Sequence, residues 1–418
     1  MSTTVFVLIS AAKVLAVFTI LMVVIALMTL FERRVAGFVQ DRSGPNRVGP
    51  WGLLQPAADG LKNLLKEETL PAGASRAFFV LAPMLAIAPA LVTFAVVPFA
   101  APLPSRWGAI PMIVADLPIG FLYILAFASS GVYGIVLAGW ASNSKYALLG
   151  GLRASAQLIS YEIGFGMSLV PVILLAGNVT IPEIVWAQQR MGLWFVVPLT
   201  FAFITLMISA FAEANRLPFD LPEAESELVA GYHSEYSSMK FSMFYIAEFG
   251  AMVTASALLA SLFFGGWDIP FVAWDDMWVT ADGRIVGAEP AVWKTALTLL
   301  AFALKTGFFL FTFVWVRWTL PRFRYDQLMA LGWKFVLPAT LVYIAVMGAA
   351  MVGFRAWGIA DGRPFGLALA AVNLVMVGAL LFGLDRGRTV TGASVRAQRR
   401  ARAAEAREAR ERPAGVGP

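Results

Sequence analysis

Nine stretches of this 418-residue chain are each long and apolar enough to cross about 30 Å of hydrocarbon. They fall near 6–30, 78–100, 119–140, 157–177, 194–214, 241–265, 295–319, 336–356 and 365–384. Such a chain has few ways to fold. Inside lipid every backbone N–H and C=O must find a partner within the protein, and a helix supplies one from its own turns. The expected class is an all-α polytopic membrane protein: a membrane domain of nine transmembrane helices over 1–384, then a basic tail over 385–418. Composition agrees, with 59% hydrophobic and 14% charged residues against roughly a quarter charged in soluble domains. The first apolar run, from Met1 to Leu30, is longer than a signal-peptide core and no small-residue cleavage pattern follows it, so it is expected to be retained as a helix.

Charge sets the expected orientation. If the N-terminus is outside, 24 of the 32 Lys and Arg fall in the inner loops and tail, as the positive-inside rule requires, and the C-terminus is then cytoplasmic. Residues 51–70 carry Leu54, Ala58, Leu61 and Leu65 at helical spacing opposite Asp59, Lys62, Asn63, Lys66 and Glu67. This stretch is too short and too charged to span, and it predicts an amphipathic helix lying on the cytoplasmic surface. The tail is rich in Ala, Arg and Glu. It has too little apolar area to fold alone and is expected to be mobile, unless anionic headgroups or a partner order it.

Cysteine is absent and His233 is the single histidine. This chain cannot by itself build a disulfide, a thiolate metal site, an iron–sulfur cluster or a bis-histidine haem site. No Gly-x-Gly-x-x-Gly turn follows a predicted strand, and no Walker-type loop occurs. If electrons move in this system, their carriers are expected in other chains.

Three charged blocks interrupt the apolar pattern. The first, Phe31 to Gly60, packs charge, glycine and proline against the end of the first span, where a kinked charged segment needs protein cover or a polar cavity. The second, Phe211 to Glu235, crowds Glu213, Asp220, Glu223, Glu225, Glu227 and Glu235 against Arg216 alone. Crowded carboxylates raise one another's pKa, which suits proton uptake. Glu223, Glu225 and Glu227 have a second reading, as acids complementing the dipole of a short helix begun by Pro222. The third block, Arg317 to Met329, reads both as a basic loop with aromatic anchors and as a docking surface for a soluble partner. Glu162 and Glu248 lie within spans, about 8–10 Å below the inner surface at 1.5 Å per residue. Glu213 joins them from the end of the fifth span. Acids at such depth are functional candidates by default, and pairing with Lys305 or a loop arginine is the structural alternative. Lys305, near the middle of the seventh span, is either a proton-relay base or the cation of a buried pair.

Together the blocks resemble the H-subunit family of bacterial proton-translocating NADH–quinone oxidoreductase, the family of respiratory complex I subunit 1. The matching pieces are Glu32-Arg-Arg, Gly44-Pro-Asn-Arg-Val-Gly-Pro, Gly52-Leu-Leu-Gln-Pro-Ala-Ala-Asp59, Gly139-Trp-Ala-Ser-Asn-Ser-Lys-Tyr146, Ser160-Tyr-Glu162, Glu213-Ala-Asn-Arg-Leu-Pro-Phe-Asp220, Glu223-Ala-Glu-Ser-Glu-Leu228 and Pro321-Arg-Phe-Arg-Tyr-Asp-Gln-Leu-Met329. The resemblance runs from about residue 5 to about 355 and covers every loop on the predicted inner side. It implies the membrane part of a quinone chamber in the cytoplasmic (inner) membrane of a bacterium. By residue match Arg33, Arg42, Asp59, Glu67, Arg216 and Phe219 belong to the chamber and its entrance. Glu32, Glu162, Glu213, Asp220, Glu223, Glu225, Glu227, Glu235 and Glu248 belong to a proton relay. It further implies quinone as substrate, no cofactor or metal in this chain, and FMN and iron–sulfur clusters in partner subunits. The implied partners are peripheral iron–sulfur and quinone-site subunits, small membrane subunits and antiporter-like subunits. Two other readings share parts of the pattern: the equivalent membrane component of an energy-converting hydrogenase or a ferredoxin- or deazaflavin-dependent complex, and a stand-alone cation/proton antiporter. The full acidic loop disfavours the first, and the lack of an internal repeat disfavours the second.

Overall fold

Eight helices in the computed structural model are long and apolar enough to cross a membrane, which makes the chain a multi-pass membrane protein. Described are residues 3–221, 228–270, 272–279, 285–359 and 361–385, with 381–385 as backbone only. The expectations placed on Glu223, Glu225 and Glu227, and on the tail from residue 386, lie outside the described residues. The helices are α1 (Thr3–Val39), α2 (Gln55–Leu65), α3 (Arg76–Val92), α4 (Gly120–Ala141), α5 (Lys145–Ala176), α6 (Ile181–Met191), α7 (Thr200–Glu213), α8 (Ser238–Phe263), α9 (Val292–Thr319), α10 (Tyr325–Leu331), α11 (Leu337–Ala356) and α12 (Gly362–Asp385). A π-helical turn, Gly332–Val336, joins α10 to α11, so the two run on as one long helix.

The fifth expected span, 194–214, differs most. Its helix α7 has 14 residues, about 21 Å at 1.5 Å per residue, and the chain from Gly192 to Leu199 turns irregularly before it. Pro198 disfavours helix at Val197. Irregular backbone within a membrane bundle stands only where protein satisfies it, and here neighbouring helices do so. The Gln188 side-chain oxygen accepts the backbone N–H of Phe195 (3.1 Å) and of Gly265 (3.0 Å). The Val196 N–H donates to the Phe263 carbonyl at 2.9 Å. Asn373 on α12 donates to the Pro198 carbonyl at 3.1 Å.

Helix α5 begins twelve residues before the expected 157. Lys145 and Arg153 give its start the look of a loop, but tertiary packing holds it helical. A Cβ added at Gly150 would lie 2.6 Å from the Gly231 Cα, so a bare glycine is what lets the turn Gly231–His233 rest on this helix. Two short antiparallel hairpins also amend the all-α expectation. Ala100–Ser105 pairs with Gly108–Met112, and Met277–Val279 with Ile285–Gly287. The first lies between the spans expected at 78–100 and 119–140; Pro98, Pro102 and Pro104 remove helix donors there. It is pinned to α9, where Thr295 donates to the Pro102 carbonyl (2.9 Å) and Thr298 accepts from the Ala101 N–H (3.1 Å).

The amphipathic helix expected within 51–70 forms as α2, over Gln55–Leu65. None of its residues is fully buried, and Leu54, Leu61, Leu64 and Leu65 are all exposed. The Ser238 hydroxyl at the start of α8 donates to the Asn63 carbonyl at 2.9 Å, which ties α2 to the bundle. Helices α3, α4, α5, α7 and α8 form the packed centre, with α1 laid against α8 and α9.

Candidate functional site

Loops far apart in sequence converge at one end of the bundle. Glu32 comes from the last turns of α1, Arg216 and Asp220 from the segment after α7, and Arg317 from the end of α9. Arg216 Nη1 donates to both Glu32 oxygens, at 3.2 and 3.1 Å. Its Nε faces Glu248 Oε1 on α8 at 2.6 Å. Arg317 holds Glu32 from the other side, and Arg322 Nη2 donates to Asp220 Oδ2 at 2.8 Å. The Arg216 and Glu248 side chains are only 4% and 12% exposed. Charges this deep stand only because each has a partner. Burial pushes the Asp220 carboxyl above its ordinary value, while Arg322, Arg317 and Arg216 pull it back.

The local fold explains why this segment holds still. Gln157 on α5 donates to the carbonyls of Ala212 and Phe219, both at 2.9 Å. The Phe219 ring meets Tyr161 edge-on at 5.4 Å and Phe323 at 5.6 Å. Tyr161 in turn donates to the Leu328 carbonyl at 2.9 Å. The Phe323 N–H closes the clamp on the Pro218 carbonyl at 3.2 Å. Residues 214–221 are thus fixed between α5 and the 317–329 block. His233 is buried on the nearby turn, and desolvation pushes its imidazole down to about 4.

Beside this network a crevice of about 500 Å³ opens between α1, α2 and α8. Its walls are mostly apolar, with Ile25, Ile246 and Phe249 among them, and Arg33 and Asp59 also line it. Arg33 donates to Asp59 at 2.7 Å and Gln55 donates to the other Asp59 oxygen at 3.0 Å. The pair is partly open, with the Arg33 side chain 51% exposed. Phe249 connects crevice and network: it lines the cavity, and the Arg216 guanidinium lies 4.4 Å over its ring. Of the six expected chamber residues only Arg33 and Asp59 line the crevice; Arg216 and Phe219 lie in the adjoining network, and Arg42 and Glu67 lie elsewhere. Arg42 donates to Gln40 at 2.7 Å, and Glu67 offers its backbone carbonyl to Ser237 at 3.4 Å; neither lines the crevice.

A second, smaller cavity of about 120 Å³ lies deeper, between α3, α4, α5, α7 and α8. Glu213 and Glu248 both line it, with Thr93, Asn215, Tyr232 and Thr254. Glu162 lies outside its lining but close enough to Glu213 to act on it electrostatically. Glu248 therefore reaches both ways, toward Arg216 and toward Glu213. Glu235 forms no ion pair among the described residues. Lys305 is remote: its ammonium donates to the carbonyls of Phe264 (2.6 Å), Gly266 (3.1 Å) and Asp268, and lies 4.4 Å over the Trp194 ring. Phe264 is sixteen residues beyond Glu248, about 24 Å at helical rise.

Sequence reasoning missed the roles of Arg317, Arg322, Gln157 and Phe249. The two arginines were visible within a block read as basic loop or docking surface. What hid them was that their acids lie more than a hundred residues away in the chain. Phe249 follows an intramembrane glutamate, and that adjacency was the available signal.

Comparison with known proteins bears on this arrangement directly. The family described as NADH dehydrogenase matches residues 12–348. A protein of Geobacter metallireducens, named as an H subunit of NADH-quinone oxidoreductase, is 48% identical over 337 residues, covering 81% of this chain and 94% of that protein. A Koribacter versatilis protein, also named as an H subunit of NADH-quinone oxidoreductase, is 48% identical over 355 residues, with coverage of 82% and 96%. A Geobacter sulfurreducens protein named in the same way is 47% identical over 340 residues, 81% of this chain and 95% of that one. The matched residues include the arginine–carboxylate network, both cavities and all but the last apolar helix, and the chain accordingly belongs to the NADH dehydrogenase family, as an H subunit of NADH-quinone oxidoreductase.

Proposed function

We propose that this chain forms the membrane side of a quinone-binding chamber and couples quinone reduction to proton translocation through its buried carboxylates. The observation that carries this reading is the path from the apolar crevice, through the contacts of Phe249 with Arg216 and of Arg216 with Glu248, to the cavity that Glu248 shares with Glu213. An apolar crevice with one charged pair at its rim suits a lipid-soluble ring with a polar head. Quinone reduction consumes two electrons and two protons. FMN and iron–sulfur clusters in partner subunits would supply the electrons; this chain would bind the quinone and no cofactor.

The chemistry follows from Arg216. One guanidinium bonded to Glu32 and Glu248 cannot hold both equally when charge changes beside it. A negative charge arising near the crevice competes for Arg216 and weakens its hold on Glu248. A buried carboxylate that loses its cation takes up a proton. Glu248 would then pass that proton across the smaller cavity to Glu213, and Glu162 would follow. The cavity is polar enough and large enough for water, which needs about 10–15 Å³ per molecule. In this reading the N-terminus faces outward and the tail is cytoplasmic, in the inner membrane of a bacterium. Peripheral subunits would dock on the face formed by the 31–77, 213–240 and 317–334 loops, and antiporter-like subunits would continue the relay.

Glu213→Gln tests it. The change keeps volume and hydrogen bonding but removes the titrating proton. The complex should assemble normally while quinone-dependent turnover falls by about a hundredfold or more, the range for losing one proton-transfer group. Glu162→Gln should act in the same direction. Wild-type turnover and proton pumping in an assembled Glu213→Gln complex would overturn the reading.

A further inference from the structure

The cavity shared by Glu213 and Glu248 is longer than two carboxylates need. On α8 its lining runs from Phe244 to Leu258, about 21 Å at 1.5 Å per residue. The neighbouring helix shows which way it leads. Lys240, near the start of α8, lies 5.3 Å over the Phe79 ring of α3, and a Cβ added at Gly250 would lie 3.0 Å from the Ala90 Cβ. Helices α3 and α8 therefore run parallel and in step. About one further turn of each brings Thr254 on α8 and Thr93, just past the end of α3, to one level, and both line the cavity. Thr254 is six residues beyond Glu248, about 9 Å further along the helix. Two carboxylates stand at one end of the cavity and two hydroxyls toward the other.

The walls between are small and apolar: Ala86 and Ala90 on α3, Gly131 on α4 and Ala251 on α8. They leave room, about 120 Å³ in the whole cavity, for several waters at about 10–15 Å³ each. Apolar walls alone would leave that room dry, since a buried water needs about two to four polar partners. The threonines supply them away from the carboxylates. Thr254 is 5% exposed, and its hydroxyl has no partner among the described residues. Such a group is costly to bury unmet. Of the buried hydroxyls without a partner among the described residues, only that of Thr254 lines this cavity. The Thr93 hydroxyl donates to the Pro89 carbonyl at 2.8 Å, which leaves its oxygen as an acceptor for water.

We propose that Thr254, with Thr93, anchors the far part of a file of water that leads protons away from Glu248 and Glu213 along α8. Thr254 is a positioning residue: it holds a water and touches neither quinone nor carboxylate. The inference rests on the carboxylate relay proposed above and adds its direction. A hydroxyl suits the task because it both accepts and donates, so it can keep a file of water oriented without holding the proton itself. A proton released by either carboxylate passes onto the first water, and each water gives up one hydrogen as it gains another. No charge settles on threonine. Without the hydroxyl the far waters lose their partner, and the file shortens to the carboxylate end.

The test uses the intact, purified complex in vesicles, with Thr254→Val, Thr254→Ser and Glu213→Gln measured side by side. Replacing an unpartnered buried hydroxyl by a methyl of the same shape is close to neutral for stability, so Thr254→Val should assemble normally. Its quinone-dependent turnover should fall by about three- to tenfold, the change expected for one lost water-mediated hydrogen bond, with KM for quinone unchanged. The ratio of turnover in light water to that in heavy water should rise above the wild-type value, because proton transfer becomes more rate-limiting. Thr254→Ser should restore both. Thr254→Ala answers the same question where valine disturbs packing. Wild-type turnover and a wild-type isotope ratio in Thr254→Val would overturn the inference, as would a Thr254→Ser complex no better than the valine one. With Glu213→Gln still impaired, either result leaves the carboxylate relay standing. A normal Glu213→Gln complex removes the relay and this inference together.

Discussion

Two buried cations in this molecule solve the same problem differently. Arg216 sits among side-chain carboxylates, Glu32 and Glu248, with a ring beneath it. Lys305 sits among backbone carbonyls at the end of α8. A carboxylate can take a proton and let go of its cation; a carbonyl cannot. Proton uptake by a carboxylate can therefore loosen the Arg216 network, whereas the carbonyls around Lys305 offer no such release. The choice of cation agrees: arginine's planar fork bridges two acids, while lysine's compact ammonium gathers three oxygens around a point. On the proposed function, the first is the place that changes and the second the place that holds.

Arg216→Ala should have the largest effect. It leaves Glu32 and Glu248 buried without their bridging cation, and breaking a buried pair from one side costs about 3–5 kcal/mol. Quinone-dependent turnover should fall by two orders of magnitude or more, with partial loss of assembled complex on native gels. Arg216→Lys should recover assembly better than turnover, because it restores charge without the fork. Near-normal turnover in Arg216→Lys would blur the distinction between the two cations.

Lys305→Met comes next and should act on stability alone. Losing a charged donor to buried carbonyls costs about 1.5–3 kcal/mol, read as a lower unfolding midpoint. Protons pumped per quinone reduced should stay at the wild-type value. A changed ratio would move Lys305 from the fixed class into the relay.

Asp59→Ala should have a smaller and more selective effect. The Arg33–Asp59 pair is largely exposed, and exposed pairs contribute about 0–1 kcal/mol, so assembly should be unaffected. Quinone reductase activity should drop several-fold while NADH oxidation by a water-soluble acceptor persists. Equal loss of both would point to failed assembly and away from the crevice.

A different kind of test uses pH. His233 stays neutral in the fold down to about 4, whereas its ordinary value is 6.5. Between those values the unfolded chain binds the proton and the native chain does not, so stability rises with pH across that window. The wild-type unfolding midpoint should fall as pH is lowered from about 6.5 toward about 4, and His233→Gln should flatten that slope. An unchanged slope would place the acid sensitivity in other groups.

Much of the candidate site was legible residue by residue. Glu213, Glu248, Glu32, Arg33, Asp59, Arg216 and Phe219 were all singled out, and the geometry groups them into a crevice, a network and a cavity. Arg42 and Glu67 were singled out by the same match, yet they lie off the crevice. Proximity in sequence to a pocket does not set which way a side chain turns. The grouping itself was not legible. Arg317 belongs to Glu32 across 285 residues, and no local pattern announces such a pairing.

The sequence by itself determined the membrane class, most of the long helices and the amphipathic helix α2, because burial of apolar side chains in lipid acts on local composition over one helix length. Tertiary structure alone decided three things. It shortened α7, because Gln188, Asn373 and the end of α8 satisfy the backbone that α7 gives up. It lengthened α5, because Gly150 meets the Gly231 turn. It chose which acid receives which arginine, because the free energy of a buried charge depends on every partner within a few ångströms, wherever in the chain those partners originate.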